Sequence, residues 1–169
     1  MPLQQVTWVE WWVVGLVDRK NEQIKLHVLP QGRLSVNRDN CMAFVLENCR
    51  PGTLVVTDSS TVYSTATLNI NGMWHATCNH SVGQRVVPYL HTVSGTAVGT
   101  QAVEGMWGRL RRFLQRLEAH KVRHTQGSLQ CYCNEFSFRT NTRMAGGDAA
   151  FEQVCATLRA PTMAGTGRD

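Results

Sequence analysis

The sequence lacks the features by which secreted, membrane-spanning and zinc-binding proteins are recognised. Its N-terminus has no basic stretch followed by an apolar run and a cleavage site, so no signal peptide is predicted. The longest apolar stretch, at 13–17, is far too short to cross a membrane. The six cysteines include no CxxC pair, and Cys131-x-Cys133 is a poor zinc spacing. We therefore expect an intracellular protein, not bound to a membrane, whose reduced cysteines serve in packing.

The chain has 169 residues, of which 43% are hydrophobic, and this predicts one globular domain with a sizeable core. The net charge of +5 is unevenly placed. Between Ala102 and Arg143 there are eight Lys or Arg residues against three acids, so this segment alone carries the excess. A basic region on a neutral body indicates either a surface that faces phosphate or a merely solvated helix face.

The chain alternates between strand and helix patterns, without internal repeats. Strands are predicted at 8–17, 23–29, 53–57 and 73–78, and helices at 38–48, 59–68, 100–119 and 126–140. Ser59 or Ser60 could cap the second helix. The stretch 82–99 has no clear period and is interpreted as a loop with at most a short strand. This order of elements predicts an α/β domain.

The helix predicted at 100–119 carries one carboxylate beside its apolar side. The apolar residues recur at three- and four-residue steps: Val103, Met106, Trp107, Leu110, Phe113, Leu114 and Leu117. Glu104 lies at the edge of this face, and Arg111 follows about two turns later in nearly the same direction. This pair suits metal or phosphate chemistry, but an ordinary amphipathic helix would equally explain it.

A second acid, Asp58, directly follows the strand at 53–57. An acid at the end of a central strand and an acid on a later helix can meet across a sheet edge. Enzymes that cut or join phosphodiesters need such acids, because hard oxygen ligands hold Mg²⁺ or Mn²⁺. Two such ions about 4 Å apart activate the attacking oxygen and stabilise the leaving one. The alternative is that Asp58 only caps a helix.

Four motifs follow one another along the chain: PGTLVVTDSSTVY (51–63), CNHS (78–81), HTVSGTAVGTQAVEGMWGRLRRFLQ (91–115) and YCNEFSFRTNTR (132–143). In order and spacing they resemble the DDE transposases of bacterial insertion sequences and their eukaryotic relatives, the Merlin superfamily. The upstream segment WVVGLVDRKNEQIKLHVLP resembles the family's second and third strands. The resemblance covers about residues 8–143.

The resemblance implies an RNase H-like, retroviral-integrase-like catalytic domain at 1–143, a mixed sheet flanked by helices, followed by a partly disordered tail at 144–169. It implies Mg²⁺- or Mn²⁺-dependent cleavage and transfer of DNA strands at transposon ends. It also implies pairing of two copies, and a location in the nucleus or, in a bacterium, the cytoplasm and nucleoid.

The resemblance also assigns roles to residues. Asp58 and Glu104 match the second and third acids of the metal-binding, catalytic triad. Arg111 matches a family position expected to touch DNA phosphate, and His80 matches a family motif near the active site where a DNA contact is one expectation. The basic segment separately predicts DNA contacts from Arg109, Arg111, Arg112 and Arg116. For His80 the alternative is a structural hydrogen bond that holds its loop. The core positions of the family are matched by Trp107, Phe136 and Phe138.

The chain departs from the family pattern at the first catalytic Asp. The family carries it on a strand before the one predicted at 8–17, but the preceding residues MPLQQVT contain no acid. Glu10 and Asp18 are nearest and are out of register. We therefore expect an N-terminally incomplete domain in which two-metal chemistry fails or weakens by orders of magnitude. A catalytically inactive, domesticated DNA-binding or protein-interaction module is the alternative, and a degenerate gene fragment is a third.

Overall fold

A computed structural model describes residues 10–31, 36–88, 97–118 and 125–145. Its elements are β1 (Val13–Val17), β2 (Ile24–Val28), α1 (Arg38–Asn48), β3 (Leu54–Asp58), α2 (Thr65–Ile70), β4 (Trp74–Cys78), β5 (Val86–Pro88), β6 (Ala97–Gly99), α3 (Gln101–Glu118) and α4 (Gln126–Ala145). Within these ranges the strands form an antiparallel pair β1–β2, a parallel pair β3–β4 and an antiparallel pair β5–β6. The architecture is mixed α/β. Of the tail predicted at 144–169, residues 144 and 145 belong to α4, and the residues from 146 onward lie outside the described part of the chain.

The first two strands form the predicted hairpin, but β1 is shorter than the stretch 8–17. In the turn, the Asp18 N–H donates to the Gln23 carbonyl at 2.8 Å. The ladder ends at the pair Val13–Val28. One further hydrogen bond runs from the Leu29 N–H to the Trp12 carbonyl, at 2.9 Å. The described pairing ends there, and residues 8 and 9 lie outside the described part of the chain.

Side-chain amides from α4 cover the outer edge of β2. The Ile24 N–H donates to Asn141 Oδ1 at 2.8 Å, and Asn141 Nδ2 donates to the Ile24 carbonyl at 3.0 Å. Gln130 Oε1 likewise accepts the Val28 N–H at 2.7 Å, and Gln130 Nε2 donates to the Leu26 carbonyl at 3.3 Å. An open strand edge would otherwise expose these backbone groups to pairing with another chain. The hydrogen bonds also fix α4 along the hairpin.

Two apolar clusters lie on either side of β1. The first contains Ile24, Leu26, Val28, Met106, Leu110, Leu129, Cys133 and Phe136. The second contains Met42, Val45, Val55, Leu68 and Met73. Val13 and Val17 pack against the first cluster, whereas Leu16 packs against the second. The alternation of side chains along β1 thus joins the hairpin, α3 and α4 to the layer of α1, β3, α2 and β4.

Most predicted helices are confirmed, but α2 begins later than expected. Helix α1 has the predicted bounds and is capped by Asn37, whose side chain accepts the Asn40 N–H at 2.8 Å. Helix α2 begins after Ser64, whose hydroxyl accepts the Thr67 N–H at 3.2 Å. The predicted cap at Ser59 or Ser60 was wrong because Asp58 directs that segment into a turn, accepting the Ser60 N–H at 3.2 Å.

One further expectation was wrong, and another was incomplete. Phe138 was predicted as core but is 41% exposed, whereas Phe136 is 7% exposed. Two residues span about 200° of a helix, so both rings cannot face the same core. The loop predicted at 82–99 contains the short paired strands β5 and β6 on either side of the undescribed residues 89–96. Among the described helices, none combines the length and apolar composition that a membrane crossing requires.

Candidate active site

Asp58 and Glu104 are each related to the buried residue Cys78: Asp58 is its partner in the strand register, and burial, together with the charge of Glu104, raises the pKa of its thiol. Strands β3 and β4 run in parallel and end together, with Asp58 opposite Cys78 in the register. Glu104 lies in the first turn of α3, which follows β6. Cys78 is fully buried, and burial raises the pKa of its thiol, a backbone hydrogen bond with Thr100 lowers it, and the charge of Glu104 raises it. The Cys78 thiol is therefore neutral, and the carboxylates of Asp58, at the end of β3, and of Glu104, in the first turn of α3, are both exposed.

The carboxylate of Asp58 is held by its own turn. Its Oδ1 accepts the Ser60 N–H, so the residue is the last of β3 and the first of an Asx turn. Nearby, burial raises the pKa of Tyr63 to about 12, with smaller contributions from the charges of Cys41 and Asp58. The Tyr63 phenol stays protonated at neutral pH.

Glu104 is held by a chain of hydrogen bonds. The Thr100 hydroxyl donates to Glu104 Oε1 at 2.8 Å. Thr100 Oγ1 also lies 2.8 Å from His80 Nε2. A hydroxyl has a single proton to donate, so it accepts from an Nε2–H of His80. His80 Nε2 is itself 3.4 Å from Glu104 Oε1, and the three side chains thus form one network.

The loop after β4 positions His80 for this network. The Asn79 side chain accepts the Ser81 N–H at 3.1 Å and the Ser81 hydroxyl at 2.5 Å. The Asn79 carbonyl accepts the Gln84 N–H at 3.0 Å. These bonds form the short 3₁₀ turn His80–Val82. The His80 side chain, 39% exposed, thus makes a structural hydrogen bond with Thr100, the alternative considered for it. Its contact with DNA stays a prediction.

The two carboxylates could hold one divalent cation. Within the described ranges, the contacts of Asp58 fall on Oδ1 and those of Glu104 on Oε1. One oxygen of each group is therefore open to a ligand. Magnesium is commonly held by one or two carboxylates, with water and substrate phosphate completing its shell. No group of three or more His, Cys, Asp or Glu side chains with metal-binding geometry occurs among the residues the structure describes.

Asp18 and Glu10, the nearest candidates for the family's first catalytic acid, make no described contact with Asp58 or Glu104. Asp18 lies in the hairpin turn, where its Oδ1 accepts the Lys20 N–H at 2.8 Å. Glu10 is exposed and lies outside regular secondary structure.

The arginines of α3 divide between two grooves. Arg111, on the side of Glu104, lines a groove together with Trp11 and Trp107. The second groove runs between α3 and α4 and is lined by Arg109, Arg112, Phe113, Arg116, Phe136, Arg139, Thr140 and Arg143. The sequence had suggested that all the α3 arginines form the phosphate side of one site, but only Arg111 shares the direction of Glu104.

The sequence reasoning missed three participants. Thr100 was treated only as the start of a helix, although its position one turn before Glu104 is a usable signal. Arg139 and Arg143 were counted in the basic segment, and their four-residue spacing could have placed them on one face of α4.

Comparison with known families identifies the chain. A model of the ISXO2-like transposase domain matches residues 10–141. The chain belongs to this family of DDE transposases. The match begins just before β1 and ends within α4, so it includes both apolar clusters and the two candidate metal ligands, Asp58 and Glu104. A search among curated proteins found no match.

Proposed function

We propose that this transposase domain cleaves and transfers DNA strands by carboxylate-assisted metal chemistry, with Asp58 and Glu104 as the metal ligands. The observation that carries the proposal is that Asp58 is the register partner of Cys78 and that the charge of Glu104 acts on the same cysteine, within a chain that belongs to a DDE transposase family. Family membership indicates DNA transposition as the process. The metal ligands and the activity are the proposed part.

The described strands are compatible with an RNase H-like sheet, which forms part of the proposal. Such a sheet combines antiparallel strands early in the chain with parallel strands that follow. The hairpin β1–β2 and the parallel pair β3–β4 have these orientations in this order. We place the catalytic domain from the hairpin to about residue 143, because α4 covers the edge of β2 up to Asn141.

Mg²⁺ or Mn²⁺ fits the donor set, because both ligands supply hard oxygen atoms. When bound, such an ion would polarise a phosphodiester and lower the pKa of an attacking water. The Thr100 hydroxyl and His80 hold Glu104 Oε1 and thereby orient its second oxygen. Arg111, seven residues beyond Glu104, lies within about 20° of it around the helix and would contact phosphate.

A DNA-binding module without catalysis is the second candidate. It is favoured by one observation: the described residues contain no group of three or more His, Cys, Asp or Glu side chains that could hold a metal ion. A second metal ion would then lack a ligand. The arginines of the α3–α4 groove do not depend on this chemistry and would bind DNA in either case.

Nicking of supercoiled plasmid DNA distinguishes the two candidates. The wild type is incubated with Mg²⁺ or Mn²⁺ beside Asp58→Asn and Glu104→Gln, which preserve shape and remove charge. Glu47→Gln, an exposed acid on α1, is the matched control. We expect metal-dependent nicking that Asp58→Asn and Glu104→Gln each reduce by at least about a hundredfold and that Glu47→Gln leaves intact.

The alternative outcomes decide the question. Nicking that survives both substitutions would come from a contaminant or from another site, and would contradict the assignment. DNA binding without nicking by the wild type, in either metal, would favour the non-catalytic module. Pairing of two copies belongs to the same proposal, and light scattering on the free and DNA-bound protein tests it.

A further inference from the structure

The groove between α3 and α4 concentrates positive charge without acidic lining. Five of its eight lining residues are arginines, and none is acidic. All five are exposed. One of them, Arg139, is paired with Glu135, 2.5 Å away on the same helix. The remaining four guanidinium groups have no described salt bridge, so the five arginines and Glu135 together carry a net charge of +4.

The arginines form two rows that face each other. Arg109, Arg112 and Arg116 follow at three- and four-residue steps on α3 and share one face. Arg139 and Arg143 are four residues apart on α4 and also share a face. The α3 row extends about 10 Å along the helix axis. Phosphates of one DNA strand recur about every 3.4 Å along a duplex, so this row spans roughly three of them.

The floor of the groove favours contact with a backbone over contact with bases. Phe113 and Phe136 form it, and their rings pack on each other at a centroid distance of 5.5 Å and an angle of 47°. Phe136 is only 7% exposed. Proteins that hold single strands present aromatic faces on which bases stack. Since these two rings are used in packing, the groove offers charge without a stacking surface.

We infer that the α3–α4 groove is a second DNA site, which holds the backbone of a duplex segment other than the one at the carboxylates. Around α3, this row lies about 80–140° from Glu104, on the opposite flank of the apolar stripe from Arg111. A phosphate in the groove is therefore not the phosphate beside Asp58 and Glu104. The inference deepens the proposed function and rests on its ligand, DNA, but not on its metal chemistry.

Binding of a random-sequence 30-base-pair duplex in EDTA tests this site without involving the metal. Fluorescence anisotropy is measured over a series of salt concentrations for the wild type and for Arg109→Gln/Arg112→Gln/Arg116→Gln. The matched control is Arg19→Gln/Lys20→Gln/Arg50→Gln, which removes the same charge from exposed positions elsewhere. We expect the groove variant to bind at least about tenfold more weakly at 0.1 M salt, and its log–log salt slope to fall by about three. A second variant, Arg139→Gln/Arg143→Gln, should act in the same direction.

Several outcomes would overturn the inference. If the groove variant and the control lost the same amount of affinity for the duplex, net charge alone would account for DNA binding. A preference for single strands over duplex, or displacement of duplex by polyglutamate at equal charge, would assign the groove to another ligand. Absence of duplex binding by the folded wild type would reject the site. Because every measurement is made in EDTA, a failure of nicking in the plasmid assay leaves these outcomes unaffected.

Discussion

A single hydroxyl group determines how Glu104 is presented. Thr100 donates to Glu104 Oε1 and accepts from His80, so the carboxylate has one fixed and one open oxygen. Thr100 is itself 6% exposed, whereas Glu104 and His80 reach the surface. A buried residue thus orients an exposed one. Hydrogen bonds of this kind around metal ligands commonly contribute 10–100-fold to metal affinity.

We expect Thr100→Val to weaken Mn²⁺ binding by about 10–100-fold, because it keeps the shape of the side chain and removes the hydroxyl. Thr100→Ser keeps the hydroxyl and should stay within about threefold of the wild type. Isothermal titration calorimetry with Mn²⁺ measures both. Unchanged affinity in Thr100→Val, with an intact fold by circular dichroism, would show that Thr100 does not orient a metal ligand.

His75 is linked to the backbone of Asp58 through the Thr57 hydroxyl, and it should make the stability of the protein depend on pH. The Thr57 hydroxyl donates to the Asp58 carbonyl at 2.7 Å and lies 2.9 Å from His75 Nε2, so it accepts the Nε2–H. The other ring nitrogen lies 2.7 Å from the Thr65 hydroxyl, which can donate to it. This arrangement suits a neutral ring. Burial lowers the pKa of His75 from its ordinary value of 6.5, in agreement with that arrangement.

The sign of the effect follows from proton binding. As pH falls through 6.5, the unfolded chain takes up a proton on this ring before the folded protein does, so the free energy of unfolding decreases. At pH 7.5, His75→Gln should cost about 1–2 kcal/mol through its hydrogen bonds. The difference from the wild type should shrink at pH 5.5. Urea denaturation at both pH values measures it, and a difference that stays constant would contradict the buried neutral ring.

At the scale of elements, the contact between α3 and β1 depends on a residue without a side chain. A Cβ added at Gly15 would lie 2.8 Å from Leu26, 2.9 Å from Trp107 and 3.0 Å from Met106. These distances are shorter than van der Waals contact, and all three side chains would have to shift together. The close approach of α3 to the hairpin therefore requires glycine at this position. It also places the first turn of α3, with Glu104, near the ends of β3 and β4.

Two glycine-to-alanine substitutions should change stability in opposite directions. Gly15→Ala overfills the contact and should lower the free energy of unfolding by about 1–3 kcal/mol. Gly105→Ala, in an exposed part of α3 where an added Cβ meets nothing within 4 Å, should raise it by about 0.5–1 kcal/mol. Chemical denaturation measures both. A neutral Gly15→Ala would show that the helix can move away from the hairpin at little cost.

The sequence was informative where a periodic pattern coincided with a clear end signal. Helix α1 has its predicted bounds because Asn37 caps it and Pro51-Gly52 follows it. Helix α2 was misplaced since three serines compete as caps, and only the turn made by Asp58 decides between Ser59, Ser60 and Ser64. Strands β5 and β6 were predicted only as a loop that could include a short strand, because three-residue strands carry no period of their own. Such strands form only through partners distant in the sequence.

The candidate site shows the same division between local and tertiary information. The family motifs identified Asp58 and Glu104 as candidates. The strand register then placed Asp58 opposite Cys78, whose pKa is raised by burial and in part by the charge of Glu104. The division of the arginines could not be predicted, because it depends on where α4 packs beside α3. That packing combines the apolar contacts of Leu129, Cys133 and Phe136 with amide side chains bound to a strand edge, and the amide contacts leave no hydrophobic period in the sequence.

At the scale of the whole molecule, opposite charges lie on different parts of one surface. The carboxylates occupy the beginning of α3 and the end of β3, and the basic row begins about one and a half turns further along α3. A DNA segment therefore approaches the carboxylates closely only if metal ions offset their charge. Without metal, two carboxylates and DNA phosphate repel each other, by about 1 kcal/mol for each close pair in water.

This charge arrangement predicts opposite effects of the acids in two buffers. In EDTA, Asp58→Asn/Glu104→Gln should bind duplex DNA a few-fold more tightly than the wild type, because repulsion of about 1 kcal/mol corresponds to roughly a factor of five. In Mg²⁺, after correction for ionic strength, the wild type should gain affinity relative to its EDTA value and the double variant should not. The control Asp39→Asn/Glu47→Gln, on α1, should respond as the wild type does. Fluorescence anisotropy measures all three proteins. If Mg²⁺ changed the affinity of wild type and double variant equally, the two carboxylates would not face DNA through a shared cation, whatever the α3–α4 groove contributes.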